Sequence, residues 1–227
     1  MEKCYVKIVV EGDEETAFFN VVKQLGTNEI FVLEIEDARG HGNIADLFLS
    51  ALREGELYDC VICVFDVDDK AKQRDSPYNM VRKQLMSIFQ DSIVIDAISF
   101  CTNPNILQYF LLSADSLPNV ALKTTSKSTN SNLVRKYWPK IALEKTDEFG
   151  RKIKSGYIAS RWQLEEIEYS IINNVYSYDN LLKNAVCLSL DYKNDLPAGN
   201  LLPLLIALKN GDVNYFKRIR ELIDGAC

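Results

Sequence analysis

The chain has one histidine in 227 residues, His41, and that scarcity removes whole classes of chemistry. Neither a His-rich zinc site nor a Ser-His-Asp triad can be built around more than this single imidazole. It lies in a glycine-flanked loop, Arg39-Gly40-His41-Gly42-Asn43, where a solvated loop position is a plainer reading than a catalytic one. Those glycines match neither the Walker lysine pattern nor G-x-G-x-x-G, so no phosphate-binding motif is read from them. Long apolar runs are also missing. The longest, residues 61–65 and 201–208, fall far short of the roughly 20 residues a membrane helix needs. The opening residues lack the basic start and apolar stretch of a secretory signal, so a cytoplasmic chain without membrane contact is expected. Internal repeats and low-complexity tails are absent as well.

The six cysteines, Cys4, Cys60, Cys63, Cys101, Cys187 and Cys227, are scattered, as thiols in a reducing compartment are. Cys60 and Cys63 form a C-x-x-C inside an apolar strand-like run. Residues three apart on a strand point to opposite faces, so buried core thiols are expected there rather than one metal's ligands.

What the chain has is acid, unevenly placed. Its formal charge is −6, yet residues 1–118 carry 10 Lys/Arg against 20 Asp/Glu, and residues 119–161 carry 10 against 3. An acidic first half beside a basic middle suits a cation site next to a footprint for a polyanion. The basic stretch supplies Lys127, Arg135, Lys136, Lys140, Arg151, Lys152 and Lys154 as candidate phosphate contacts, with Trp138 among the aromatics able to stack on unpaired bases. A solvated surface with structural aromatics is the competing reading.

Strand-like and helix-like segments alternate through the first half, which favours an α/β fold with a parallel sheet. Strands are expected at residues 5–10, 30–35, 60–65 and 93–100. Helices are expected at 15–25, from Ile44 to about Leu52, after the Ser76-Pro77 cap, and briefly over 106–112. From Trp162 onward the pattern is helical. This divides the chain into an α/β domain, 1–118, and a basic and helical region, 119–227, for substrate or partner binding. The helix carrying Tyr215, Phe216, Lys217, Arg218 and Arg220 is read as a packing or subunit-contact helix, which leaves a homodimer open.

Two acidic clusters fall just past expected strands: Glu11-Gly12-Asp13-Glu14-Glu15 and Asp66-Val67-Asp68-Asp69. Right-handed crossovers bring such strand ends to one edge of the sheet, so the clusters form one candidate site. Asp66 and Asp68, two apart, lean to one face if the chain stays extended. Such repelling carboxylates become tolerable around a hard cation, and Mg²⁺ takes one or two of them plus waters and phosphate oxygens. Asp69 is placed to help through water. Glu11 is a further ligand or a general acid/base, Gly12 leaves room for a phosphate, and Glu15 lies one helical turn beyond Glu11. A solvated acidic turn is the bland alternative for Asp66-x-Asp68.

A strand ending in Glu-Gly followed by one ending in Asp-x-Asp resembles the Toprim domain of topoisomerases, primases and several nucleases, over roughly residues 3–115. The resemblance implies that Glu11 acts as general acid/base or metal ligand and that Asp66 and Asp68 hold Mg²⁺. By likeness to the overcoming-lysogenization-defect nucleases, Glu15 contributes to a second metal. The chain is similar, further, to the RloB-like and AriB-like families. That likeness rests on Val10-Glu11-Gly12, Gly40-His41-Gly42-Asn43, residues 58–68 and Asn103-Pro104. Where RloB-like chains carry Cys-Phe-Glu-x-Trp after Asn-Pro, this chain has Asn105-Ile106-Leu107-Gln108-Tyr109. The resemblance implies a Toprim, Rossmann-like fold and an endonuclease using one or two Mg²⁺ ions, with Mn²⁺ as substitute. It also implies RNA, tRNA for instance, over DNA, and a toxic effector of anti-phage abortive infection paired with an ABC/SMC-like ATPase. A noncatalytic interaction subunit and an rRNA or tRNA maturation nuclease are the alternatives.

Overall fold

A computed structural model of the chain describes residues 2–55, 57–67, 76–102, 106–112, 178–191 and 201–226. Four strands, β1 (Cys4–Val10), β2 (Phe31–Asp37), β3 (Cys60–Asp66) and β4 (Ser99–Thr102), form one parallel sheet in the order β2-β1-β3-β4. The fold is thus α/β and Rossmann-like. Its sequence follows from burial. All seven residues of β3 are buried, because helices cover both faces of an inner parallel strand, and the strand therefore reads as a continuous apolar run. The edge strand β2 alternates instead, with Phe31 and Leu33 buried and Val32 and Glu34 exposed.

Helix α1 (Asp13–Val21) follows β1 directly. Its first turn holds Asp13, Glu14 and Glu15, the sign the helix N-terminus favours, and the Glu15 carboxylate accepts the Gly12 N–H at 3.0 Å. The helix widens into a π-helical turn, Val22–Gly26. Gly26 is required there by a close approach: a Cβ would lie 2.2 Å from the Tyr178 ring. A short 3-10 turn, His41–Asn43, leads into α2 (Ile44–Arg53), and α3 spans Pro77–Phe89. Ser76 caps α3 by accepting the Asn79 N–H, with Pro77 at the first helical position, as the sequence implies.

The expected fourth strand is corrected. Residues Ser92–Ile98 form a helix, α4, and β4 is only Ser99–Thr102. Three local features outweigh the β preference of Ile93, Val94 and Ile95. Gln90 closes α3 in the left-handed region, Asp91 caps α4 by accepting the Ile93 N–H at 2.8 Å, and Arg82 of α3 pairs with Asp96 at 2.6 Å. Val94, Ile95 and Ile98 then face the core at helical spacing while Ile93 points outward.

After β4 come α5 (Leu107–Leu112), α6 (Tyr178–Asp191), α7 (Leu201–Asn210) and α8 (Val213–Ala226). The last three join the same hydrophobic cluster as the sheet. Phe216 of α8, fully buried, meets Phe31 of β2 edge-on with ring centroids 5.0 Å apart. The helix bearing Tyr215 to Arg220 is accordingly a packing helix, and Arg220 also reaches the Tyr58 carbonyl at 3.5 Å. The expected domain boundary at 118/119 and the basic stretch 119–161 lie outside the described residues. Among the described residues no helix is long and apolar enough to cross a membrane.

Strand order places the site. From β1 the chain winds one way to β2, then crosses back to β3 and on to β4, so β1 and β3 flank the point where winding reverses. Adjacent crossovers leave that point on opposite faces, which opens a crevice at the carboxyl ends of these two strands.

Candidate active site

Glu11 and Asp66 occupy the two sides of that crevice. Glu11 follows the last residue of β1, and its N–H bonds the Val64 carbonyl at 3.1 Å, so the backbone stays in sheet register with β3. Its carboxylate in turn accepts the Asp66 N–H at 3.1 Å. One side chain thus ties the ends of two central strands together. The loop that returns from β2 seals the other side: Gly40, at φ 121°, donates its N–H to the Glu11 carbonyl at 2.7 Å. Only glycine takes that backbone angle readily, which explains one of the two glycines beside His41. The imidazole itself is half-buried in this turn.

Asp66, the last residue of β3, is buried at 4 % exposure. Its Oδ1 accepts the Thr102 hydroxyl and, at 3.0 Å, the Ile106 N–H. Thr102 ends β4, and Ile106 sits just before α5, so the carboxylate is held by two neighbouring elements. The Thr102 carbonyl also accepts the Val67 N–H at 2.8 Å.

Glu15 completes the acidic locus. It is buried at 4 % exposure, and its carboxyl is held well above the ordinary glutamate range. Burial is the largest cause; the negative charges of Asp66, Glu11 and Glu14 add to it. The charges acting most strongly on this carboxyl are therefore of its own sign. Gly12, by contrast, is not demanded by the fold. Its φ of −166° is extended, and a Cβ would make only ordinary contact, 3.7 Å from Glu15.

The described residues bring together Glu11, Glu15 and Asp66. Asp68 and Asp69 lie outside the described residues, as do Lys127, Arg135, Lys136, Trp138, Lys140, Arg151, Lys152 and Lys154. Among the described residues no three of His, Cys, Asp and Glu are gathered closely enough to hold one metal ion. Mg²⁺ does not need three: one or two carboxylate oxygens and several waters satisfy it, and Glu11 and Asp66 are of that hard-oxygen kind. The donor chemistry present is compatible with such an ion.

Among the described residues the cysteines take no part. Cys4, Cys60, Cys63 and Cys101 are buried thiols outside any disulfide, and burial raises the Cys4 thiol to about 11 and the Cys63 thiol to about 12. Thiols so far from ionisation are poor ligands and nucleophiles, in keeping with the core role read from the C-x-x-C. Thr102 is the contributor that the sequence reading passed over. An expected strand at 93–100 leaves Thr102 in a turn; its one signal in the sequence is a hydroxyl directly after Phe100-Cys101.

No family model, curated protein or solved structure matches this chain.

Proposed function

We propose that this chain is a Toprim-type, Mg²⁺-dependent endonuclease that hydrolyses phosphodiester bonds. Its substrate is RNA, tRNA for instance, and its role is that of an abortive-infection effector restrained by an ABC/SMC-like ATPase. The observation that carries the reading is the convergence of Glu11, Glu15 and Asp66 at the β1/β3 crevice, where burial and, after it, like charges hold Glu15 above its ordinary range. A buried locus of one sign is relieved by a cation or by protons, and a phosphodiester approaching it needs that negative charge neutralised.

Glu11 and Asp66 would hold the ion, with Asp68 and Asp69 contributing from the adjoining segment. Bound Mg²⁺ or Mn²⁺, as one ion or two, supplies electrostatic stabilisation of the charge that builds on the phosphoryl oxygens. The protein's own part is orientation and proton handling. The Asp66 N–H bonds the Glu11 carboxylate at the strand end; in the proposed step that carboxylate takes a proton from the attacking water as it adds to phosphorus, and the oxygen of the broken P–O bond leaves with a proton from solvent. Buried Glu15 keeps the floor of the site acidic without facing solvent. The basic stretch 119–161, at 10 Lys/Arg against 3 Asp/Glu, supplies the polyanion contacts that the acidic α/β half does not.

The test is cleavage by purified full-length chain with Mg²⁺ or Mn²⁺ on tRNA, single-stranded RNA and DNA. Metal-dependent cutting of RNA that is lost in Glu11→Ala and Asp66→Ala is expected; cutting that survives both substitutions removes the assigned mechanism. A noncatalytic interaction subunit is the second reading. It is favoured by α5, whose Leu107, at the position where RloB-like chains carry Glu, is buried beside Tyr109, itself edge-on to Phe18. Host toxicity of the wild type, alone or after phage triggering, with a harmless Asp68→Ala form, sets that reading aside.

A further inference from the structure

We propose that Thr102 is a positioning residue for the cation site, acting through Asp66; this rests on the metal reading above. Thr102 grips Asp66 from both sides. Its hydroxyl donates to Asp66 Oδ1, and its carbonyl accepts the N–H of Val67, the next residue along the chain. The Ile106 N–H adds a second donor on the same Oδ1 at 3.0 Å. Two donors on one oxygen fix the plane of a carboxylate and with it the direction of the other oxygen, Oδ2. The backbone bond from Val67 meanwhile fixes the residue that follows Asp66.

Burial makes the arrangement rigid. Thr102 is fully buried and Asp66 nearly so, so no water competes for the hydroxyl, and the β-branched side chain has few rotamers. Groups that hold a ligand's far side in this way orient it and tune its basicity, and their removal weakens metal binding by about 10–100-fold. β4, short yet fully buried, ends on the residue that holds Asp66, and the other donor, Ile106, immediately precedes α5.

The test compares Thr102→Val, which keeps the shape and the backbone contact but loses the hydroxyl, with Thr102→Ser, which keeps the hydroxyl. Mn²⁺ binding to the full chain is measured by calorimetry and by electron paramagnetic resonance, and melting is recorded in EDTA. Weakening of about 10-fold or more in Thr102→Val, with Thr102→Ser within about 3-fold of the wild type, is expected. Thr102→Ala replaces the valine form if that does not fold. Equal Mn²⁺ affinity in the wild type and the hydroxyl-free form overturns the inference while leaving the metal site standing. Absence of Mn²⁺ binding by the wild type overturns the metal reading and this inference with it.

Discussion

Two buried charges flank β1, and the fold treats them in opposite ways. Lys7, midway along the strand, is 6 % exposed, and its ammonium meets Glu34 at 2.5 Å and Glu36 at 2.8 Å while lying over the Tyr58 ring. Parallel register supplies that neutralisation directly, since Lys7 pairs with Glu34 and Val9 with Glu36 on the neighbouring strand. Glu15, just past the carboxyl end of the same strand, is equally buried, accepts the Gly12 N–H, and feels the negative charges of Asp66, Glu11 and Glu14 with no cation set against them among the causes of its raised range. A chain that places two carboxylates on one buried lysine has the means to compensate a buried charge. Under the proposed function, the charge of one sign at the switch point makes that end of the sheet the working end and the core around Lys7 its scaffold.

The largest way to sharpen this contrast is at the carboxyl end. Asp66→Ala or Glu11→Ala should lower RNA cleavage by at least about a hundredfold in a single-turnover assay, since removal of groups that merely support ligands already costs 10–100-fold in metal sites. Lys7→Met should leave cleavage and Mn²⁺ affinity unchanged. It should lower stability by only about 1 kcal/mol, about 2–4 °C in melting temperature, because water can reach the two glutamates left behind.

Glu15→Gln should act in the opposite direction, raising the melting temperature in EDTA near neutral pH by a similar amount. The pH dependence gives the two regions opposite signs. The raised Glu15 carboxyl binds its proton more tightly folded than unfolded, so it favours folding below the ordinary glutamate range, and that stability is lost as pH rises through the folded value. Glu34 is lowered by its hydrogen bonds to Lys7 and Tyr58, so its contribution is present at neutral pH and is lost as pH falls through its lowered value. Melting curves in EDTA from about pH 2 to 8 should therefore lose a falling limb above the ordinary glutamate range in Glu15→Gln and a rising limb below that range in Glu34→Gln. The smallest effect is Gly12→Ala, expected within about 0.5 kcal/mol by chemical denaturation, because its backbone is extended and its surroundings are open.

Much of this was legible in the sequence, for identifiable reasons. Inner parallel strands announce themselves as apolar runs, unbroken in β3 and broken only by Lys7 in β1, and the acids at their ends then located the crevice. Ser76-Pro77 announced α3 because capping chemistry is local. Residues 93–98 misled because Ile93, Val94 and Ile95 favour strands on their own, while the Asp91 cap and the Arg82–Asp96 pair that make α4 a helix depend on what α3 does. That shift concealed Thr102. Its bond to Asp66 spans 36 residues and follows from strand pairing, which spacing along the chain does not encode. The Lys7 pair was hidden similarly, since it needs the β1/β2 register.

The most direct measurement is the melting temperature of the full chain against Mg²⁺ or Mn²⁺ concentration, for wild type, Asp66→Asn and Lys7→Met. Ligand that binds only the folded form stabilises it in proportion to the logarithm of its concentration above Kd. Wild type and Lys7→Met should rise in parallel from their own baselines, and Asp66→Asn should stay flat. A flat wild-type curve, or a rise in Asp66→Asn equal to that of the wild type, would contradict a cation site at the β1/β3 crevice.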